Sequence, residues 1–216
     1  MKKKYLCMLV LGISLSSCIN FNPKNKEEKI IENPQDDAAM ESNSHLKFKG
    51  VPIDGNLNDF VSRMKRKGFK HVGTQDETEI MCGDFADFKE CMVYVTTLDE
   101  KDLVSKIAVA FPSESQWEYL YGDYKHLKEL LTEKYGKPSS CVEKFQTSYG
   151  DSPSSDKDKM YYVNFDRCKY ETRFTVDNGE IVLWIEHEDV SSCFVMLLYK
   201  DKVNGSVIRE HAKRDL

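Results

Sequence analysis

The sequence predicts an α+β fold: an antiparallel sheet of six to seven strands with two helices packed on one face. Three observations carry this. Leu57, Phe60, Val61 and Met64 recur at helical spacing, and so do Trp117, Leu120, Tyr121, Tyr124, Leu127, Leu130 and Leu131. Each helical pattern is followed by a run of short strand-like segments. Asp177-Asn178-Gly179-Glu180 sits between two such segments, a strong hairpin signal. The two runs divide the domain into halves, about 46–112 and 113–201, that share the order α-β-β-β without clear residue identity, a tandem pseudo-repeat.

The chain opens with Lys2, Lys3 and Lys4, then an apolar stretch from Tyr5 to Leu15 that is too short to span a bilayer. A charged start, an apolar middle and small residues at the end make an export signal. The four residues that close it, Leu15-Ser16-Ser17-Cys18, resemble the lipobox of bacterial lipoproteins. That resemblance implies a signal peptide over 1–17 and lipid attachment at Cys18, hence a membrane partner through the anchor. Each buried CH₂ of an acyl chain contributes about 0.8 kcal/mol, so more than one chain holds the protein stably. Residues 18–44 read as the lipidated cysteine and a disordered tether. Asn22-Pro23-Lys24-Asn25-Lys26-Glu27-Glu28 and Glu32-Asn33-Pro34-Gln35-Asp36-Asp37 carry too little apolar surface to order themselves. The mean reach of such a tether is on the order of 25–30 Å. Surface-export signals in Bacteroidetes lipoproteins are acidic clusters directly beside the cysteine, whereas Ile19, Asn20 and Phe21 stand there in this chain. The expected location is therefore the outer membrane, facing the periplasm.

The α+β domain is expected over 45–216. His45 to Gly55 reads as a short extended piece, a turn and a helix start. Asn56 caps the first helix, Asp59 suits its first turn and Gly68 its left-handed end. Arg63, Lys65, Arg66 and Lys67 form its solvated face and complement the helix dipole. Glu79–Phe85 and Phe88–Thr97 form a hairpin around Ala86-Asp87, followed by a strand from Val104 to Phe111. With a two-residue loop, Cys82 and Cys91 lie opposite each other at a non-hydrogen-bonded pair, where the chains approach closely enough for a disulfide. A loop of different length shifts the register and removes that pairing.

Ser115 and Glu118 have capping-box spacing before the second helix, which ends at Gly136 and Pro138 and has in Gly122 a point where it can bend or split. Ser140–Phe145 comes next, then a polar stretch, 149–159, that reads as a loop. Its Asp151, Asp156 and Asp158 lack the glycine and final glutamate of a calcium loop. Tyr170–Val176 and Ile181–His187 form the Asn-Gly hairpin with a type I′ turn, which sets Phe174 against Leu183 and Arg173 against Trp184. Trp184 and Arg173 then mark a candidate interaction patch on a half-polar face, against the plainer reading of a shielded tryptophan on an ordinary sheet face. Cys193–Tyr199 is almost wholly apolar, as for a central strand covered on both sides.

Removing Lys2, Lys3 and Lys4 takes the formal net charge from −5 to −8, which argues against nucleic acid as a partner. After Cys7 and Cys18, an odd set remains: Cys82, Cys91, Cys141, Cys168 and Cys193, with no C-x-x-C. His45, His71, His126, His187 and His211 are scattered, and no metal, cofactor or catalytic motif is legible. Glu186-His187-Glu188-Asp189 is the densest titratable cluster, but on a strand its side chains diverge.

Lys49-Gly50-Val51-Pro52-Ile53-Asp54-Gly55 with Phe60, Gly68 and Phe69, and the tail Tyr199-Lys200-Asp201-Lys202-Val203-Asn204 through Asp215-Leu216, resemble uncharacterised Bacteroidetes cell-envelope lipoproteins. The resemblance implies a helix-plus-sheet fold similar to β-lactamase-inhibitor-like proteins and no established activity. The expected function is a non-catalytic module that binds an envelope protein. The alternative is a small-ligand-binding protein or hydrolase with its pocket between the second helix and the sheet.

Overall fold

The computed structural model describes residues 45–76, 78–98, 101–147, 153–189, 192–206 and 213. Cys18, the tether, Asp151 and the end of the tail lie outside the described residues. The elements are β1 (Lys47–Phe48), β2 (Val51–Pro52), α1 (Leu57–Arg66), β3 (Lys70–Gln75), β4 (Thr78–Phe85), β5 (Phe88–Leu98) and β6 (Lys101–Ala110). After these come α2 (Trp117–Tyr135), β7 (Ser140–Phe145), α3 (Asp156–Asn164), β8 (Cys168–Val176), β9 (Gly179–Asp189) and β10 (Ser192–Asp201).

The fold is α+β, and its main sheet has eight strands, all antiparallel, in the order β3-β4-β5-β6-β10-β9-β8-β7. Each half is thus a helix followed by a four-stranded meander, and the two meanders join through their last strands, β6 and β10. The strand beyond the expected three in the first half is β3, Lys-His-Val-Gly-Thr-Gln. It is a sheet edge, it is almost wholly exposed and its register shifts between His71 and Gly73, so it carries no alternating apolar signal. In the second half α3 is inserted between β7 and β8, where the sequence reads as a loop. Ser155 caps this helix through Asp158 N at 3.1 Å, and Asp156 and Asp158 fall in its first turn, where carboxylates suit the helix dipole.

The helix ends obey local chemistry in α1 but not at the start of α2. Asn56 accepts from Asp59 N at 2.9 Å and donates to the Asp59 carboxylate at 2.8 Å. The α2 cap position is Gln116, without a side-chain hydrogen bond, so the Ser115–Glu118 box does not form. Gly122 does not split α2, which runs unbroken to Tyr135.

One hydrophobic core lies between the helices and one face of the sheet. Phe60 and Met64 from α1, Trp117, Leu120, Tyr124, Leu127 and Leu131 from α2, and Val163 from α3 pack on Val93, Val95, Ile107, Val109, Val195, Leu197, Leu183 and Phe174. Burying each Leu or Phe contributes about 1.5–3 kcal/mol, so this face sets where the helices sit. The small β1–β2 hairpin closes one end, with Phe48 stacked on Phe85 and edge-on to Tyr199.

Two register details correct the sequence reading. The β4–β5 loop is Ala86-Asp87, and both residues have the positive φ of a type I′ turn, at 49° and 70°. A bulge lies beyond it at Glu90 (φ 54°), so the register slips by one and Cys82 pairs with Met92 while Cys91 pairs with Gly83. The slip turns the two thiols to opposite faces of the sheet, and both are free. The Cys82–Cys91 disulfide is therefore absent for a geometric reason.

In the β8–β9 hairpin the turn is Asp177-Asn178, with Val176 paired to Gly179, and none of these residues has a positive φ. Gly179 is required by space instead: a Cβ there would overlap the Leu46 side chain and the Lys200 carbonyl. The register differs by two from the expected one, so Arg173 pairs with Val182 and Trp184 with Glu171. An even shift keeps Arg173 and Trp184 on the same face, as diagonal neighbours.

Candidate functional site

The sheet face turned away from the helices carries a continuous apolar belt. One cross-strand row reads Gly73, Ile80, Tyr94, Ala108, Leu198, Val182, Arg173, Ser140, and the next Lys70, Cys82, Met92, Ala110, Met196, Trp184, Glu171, Val142. Ile80 and Val182 are buried, yet neither belongs to the core cluster beneath the helices. Tyr94, Met92, Met196, Leu198 and Trp184 are half-buried. Each belt residue follows from strict alternation: where Val93, Val95, Val195 and Leu197 point to the helices, their neighbours point away.

Trp184 lies in this belt, and its indole Nε1 donates to Glu186 Oε2 at 2.9 Å. Arg173 closes one end of the belt, with Nε donating to Glu171 Oε1 at 2.7 Å and Nη1 to Glu180 Oε1 at 3.3 Å. The Glu171 hydrogen bond, opposed by some burial and helped by the charges of Glu171 and Glu180, raises the guanidinium pKa further. The guanidinium is thus committed to two carboxylates. Along the neighbouring polar row Lys106 stands directly opposite Lys200, two cations on adjacent strands of the same face. The sequence reading marked Trp184 and Arg173 but not Tyr94, Met92, Met196, Leu198 or the lysine pair. Their signal is the apolar content of both faces of β5, β6 and β10, which becomes informative only once the strand order is known.

A groove of about 350 Å³ runs between α2 and β7, lined by Tyr121, Tyr124, Lys125, Lys128, Thr132 and Glu143 among others. It lies at the outer edge of the sheet, because the Trp117-to-Leu131 stripe fills the space further in. At its wall Lys128 Nζ reaches Cys141 Sγ at 3.3 Å and Glu143 Oε1 at 2.5 Å. The buried hydroxyls of Tyr124 and Thr172 are 2.6 Å apart, and Thr172 Oγ1 lies 3.6 Å from the same sulfur. Burial drives the Tyr124 phenol pKa far upward, so Tyr124 stays neutral and can donate.

A smaller cavity of about 200 Å³ opens where β8 and β9 part beyond the Glu171–Trp184 pair, lined by Asp166, Cys168, Tyr170, Glu186 and His187 among others. His187 Nε2 lies 3.3 Å from Asp166 Oδ1, while Glu186 turns to the Trp184 side. The Glu186-His187-Glu188-Asp189 run therefore splits across the strand, and among the described residues no three His, Cys, Asp or Glu side chains converge as a metal set.

At the far end of the sheet the two motifs noted at either end of the domain meet. Asp201 is 4% exposed, and its carboxylate accepts from Leu46 N at 2.8 Å and Val203 N at 2.9 Å, with His45 Nδ1 at 3.1 Å. The other His45 nitrogen lies 3.5 Å from Asp54, which in turn accepts from Asn204 Nδ2 at 2.7 Å. These residues form a clasp that fastens the first described residues to the last strand. Against protein-family models, curated proteins and solved structures alike, no match to the chain is found.

Proposed function

We propose that the protein is a lipid-anchored module of the cell envelope that docks another envelope protein on the helix-free face of its sheet, without catalysis of its own. The observation that carries this reading is the apolar belt from Ile80 to Trp184, half-buried at Met92, Tyr94, Met196, Leu198 and Trp184 and bounded by charged residues. Contiguous apolar surface with a polar rim marks protein-binding sites, and tryptophan is a frequent anchor within them. Lys106 and Lys200, with Glu180 opposite Lys200 on its other side, put a mixed-charge row beside the belt, which suits a partner with an apolar surface and a polar rim.

The address rests on other residues. Leu15-Ser16-Ser17-Cys18 supports lipid attachment at Cys18 and removal of 1–17, with 18–44 as a tether. The opening and tail motifs resemble those of Bacteroidetes envelope lipoproteins with a β-lactamase-inhibitor-like fold, and the outer membrane, periplasmic face, is the location we assign. Cys18→Ala abolishes lipid labelling and membrane retention; persistence of both refutes the anchor.

The docking face is tested by cross-linking and capture from envelope extracts with the full chain. A partner that fits the reading is lost with Trp184→Ala, weakened with Arg173→Ala, and lost with the double reversal Lys106→Glu and Lys200→Glu. Retention by all three variants sinks the site.

The α2–β7 groove supports a second reading, a small-ligand site, because it is concave and has polar groups at its wall.

A further inference from the structure

The two edges of the main sheet are guarded differently. β3 closes one side, and the register shift between His71 and Gly73 interrupts its row of peptide groups. β7 closes the other in unbroken register against β8, with no proline in it. Gln146 N donates to Arg167 O at 2.7 Å, so these two form a hydrogen-bonded pair and fix the alternation back along β7. Ser140, Val142 and Lys144 therefore bond β8, while the N–H and C=O of Cys141, Glu143 and Phe145 point outward. The β8–β9 hairpin agrees. Val176 and Gly179 flank its two-residue turn, so Thr172 and Phe174 bond β9, which leaves Glu171 and Arg173 to bond β7. Among the described residues no further strand meets the outer edge of β7.

An open edge alone selects nothing, but this one borders the α2–β7 groove. Phe145 packs on Trp117 with ring centroids 5.1 Å apart, and Glu143 meets Lys128 further along, so β7 runs antiparallel to α2. The side chains of Cys141, Glu143 and Phe145 lie on the helix side. Residues of an added strand standing opposite them face the same way, into the groove. Tyr121 and Tyr124 make the end of the groove beside Phe145 aromatic, and Glu129 and Glu133 line its other end. Lys128 is held by Glu143, and Lys125 lies 3.9 Å from Glu129. Glu133 is left without an ion pair among the described residues, a carboxylate on the groove wall that a cation from outside would complement.

We propose that the β7 edge and the α2–β7 groove together take an extended segment of a partner protein, which adds to the eight-stranded sheet as an antiparallel strand. The central residue of that segment exchanges both backbone hydrogen bonds with Glu143. The residues two before and two after it stand opposite Phe145 and Cys141. The one opposite Phe145 is apolar or aromatic and covers Tyr121; the one opposite Cys141 is Lys or Arg and meets Glu133. The recognised pattern is therefore an apolar residue followed four positions later by a cation. Main-chain bonds supply the affinity, and these two side chains select the partner. A peptide as the occupant rests on the groove being a ligand site at all, and the belt on the opposite sheet face plays no part in it.

The test titrates the full-length protein in detergent with a labelled nonapeptide, leucine and lysine four positions apart around a central valine, and reads fluorescence anisotropy. N-methylation of the valine amide removes its bond to the Glu143 carbonyl and is expected to weaken binding about tenfold. N-methylation of the next residue, whose N–H points away from β7, leaves binding unchanged. Glu143→Pro removes an N–H that β8 does not use, so the near-ultraviolet circular dichroism stays that of the wild type while peptide binding is lost. Glu133→Lys weakens the lysine probe and strengthens one with glutamate in its place. Equal binding of the two N-methylated probes means that the groove holds the peptide without strand addition, and overturns the proposal while leaving the groove a ligand site. Absence of binding in the millimolar range overturns both. A dimer by sedimentation that Glu143→Pro dissociates also overturns the proposal, since a second copy then occupies the edge.

Discussion

His45 and Asp201, 156 positions apart in the chain, are joined by a contact of 3.1 Å. Through it the opening Lys49-to-Gly55 motif and the tail Tyr199-to-Asn204 motif become parts of one structure, since Asp54 also holds Asn204 and Asp201 holds Leu46. The spacing of these residues in sequence gives no hint of this. Asp201→Asn leaves the carboxylate's donors incompletely met and is expected to cost about 2–3 kcal/mol, because hydrogen bonds to a buried charge are among the stronger ones. Urea denaturation measures the loss, and amide exchange at 45–55 should accelerate more than in the central strands.

The same clasp sets an acid limit. Burial works against ionisation of Asp54, but the hydrogen bonds from Asn204 and Gly55 and the charges of His45 and Arg63 outweigh it, so its pKa lies below the ordinary carboxylate value. The stability it contributes is complete above the unfolded value of about 3.9 and is lost as pH falls through the folded one. Asp54→Asn should therefore lower Tm at pH 7 and make little difference in strong acid.

Asp123 has the opposite sign. Burial in α2, then the charge of Glu114, raise its pKa to about 6, against the pull of His126. The folded chain keeps this proton to about pH 6, whereas the unfolded chain loses it near 3.9, so stability falls as pH rises across that window. Asp123→Asn is expected to raise Tm at pH 7 and leave it unchanged at pH 3.5, by thermal melts at matched ionic strength.

Gly179→Ala tests whether that glycine serves space or turn geometry. The added methyl meets both Leu46 and the Lys200 carbonyl, and overpacking of this kind costs about 1–3 kcal/mol. Adding Leu46→Ala relieves the side-chain overlap but not the backbone one, so rescue is partial; full rescue would mean the carbonyl can move.

The bulge at Glu90 makes a prediction of the opposite direction. Asp84 takes Glu90 N at 3.3 Å and Lys89 Nζ at 2.6 Å, holding a non-glycine residue at φ 54°. Glu90→Gly removes the left-handed cost, about 1–2 kcal/mol, against the larger entropy of the unfolded glycine, and should stabilise the fold slightly. Non-reducing peptide maps should show no Cys82–Cys91 bridge in either protein.

By itself the sequence determined whatever depends on near neighbours. The Asn56 cap, the apolar stripes of α1 and α2 and the Ala86-Asp87 turn are set by contacts within a few residues and are read from spacing alone, whereas the β8–β9 hairpin is read as a hairpin but two positions out of register. The antiparallel α+β class rests on them. Tertiary structure decided the rest. β3 is a strand only because β4 offers it an edge, and the Cys82 register turns on a single bulged residue three positions past the loop. The almost wholly apolar run of β10 suggests cover on both sides, whereas the helices cover only one face of the central strand. Lys106 against Lys200, and Lys128 against Cys141, exist only once β6 meets β10 and α2 lies beside β7. Such pairs are made by chain segments whose separation carries no periodic signal, because their meeting is fixed by burial of the whole core and not by the conformational preference of either residue.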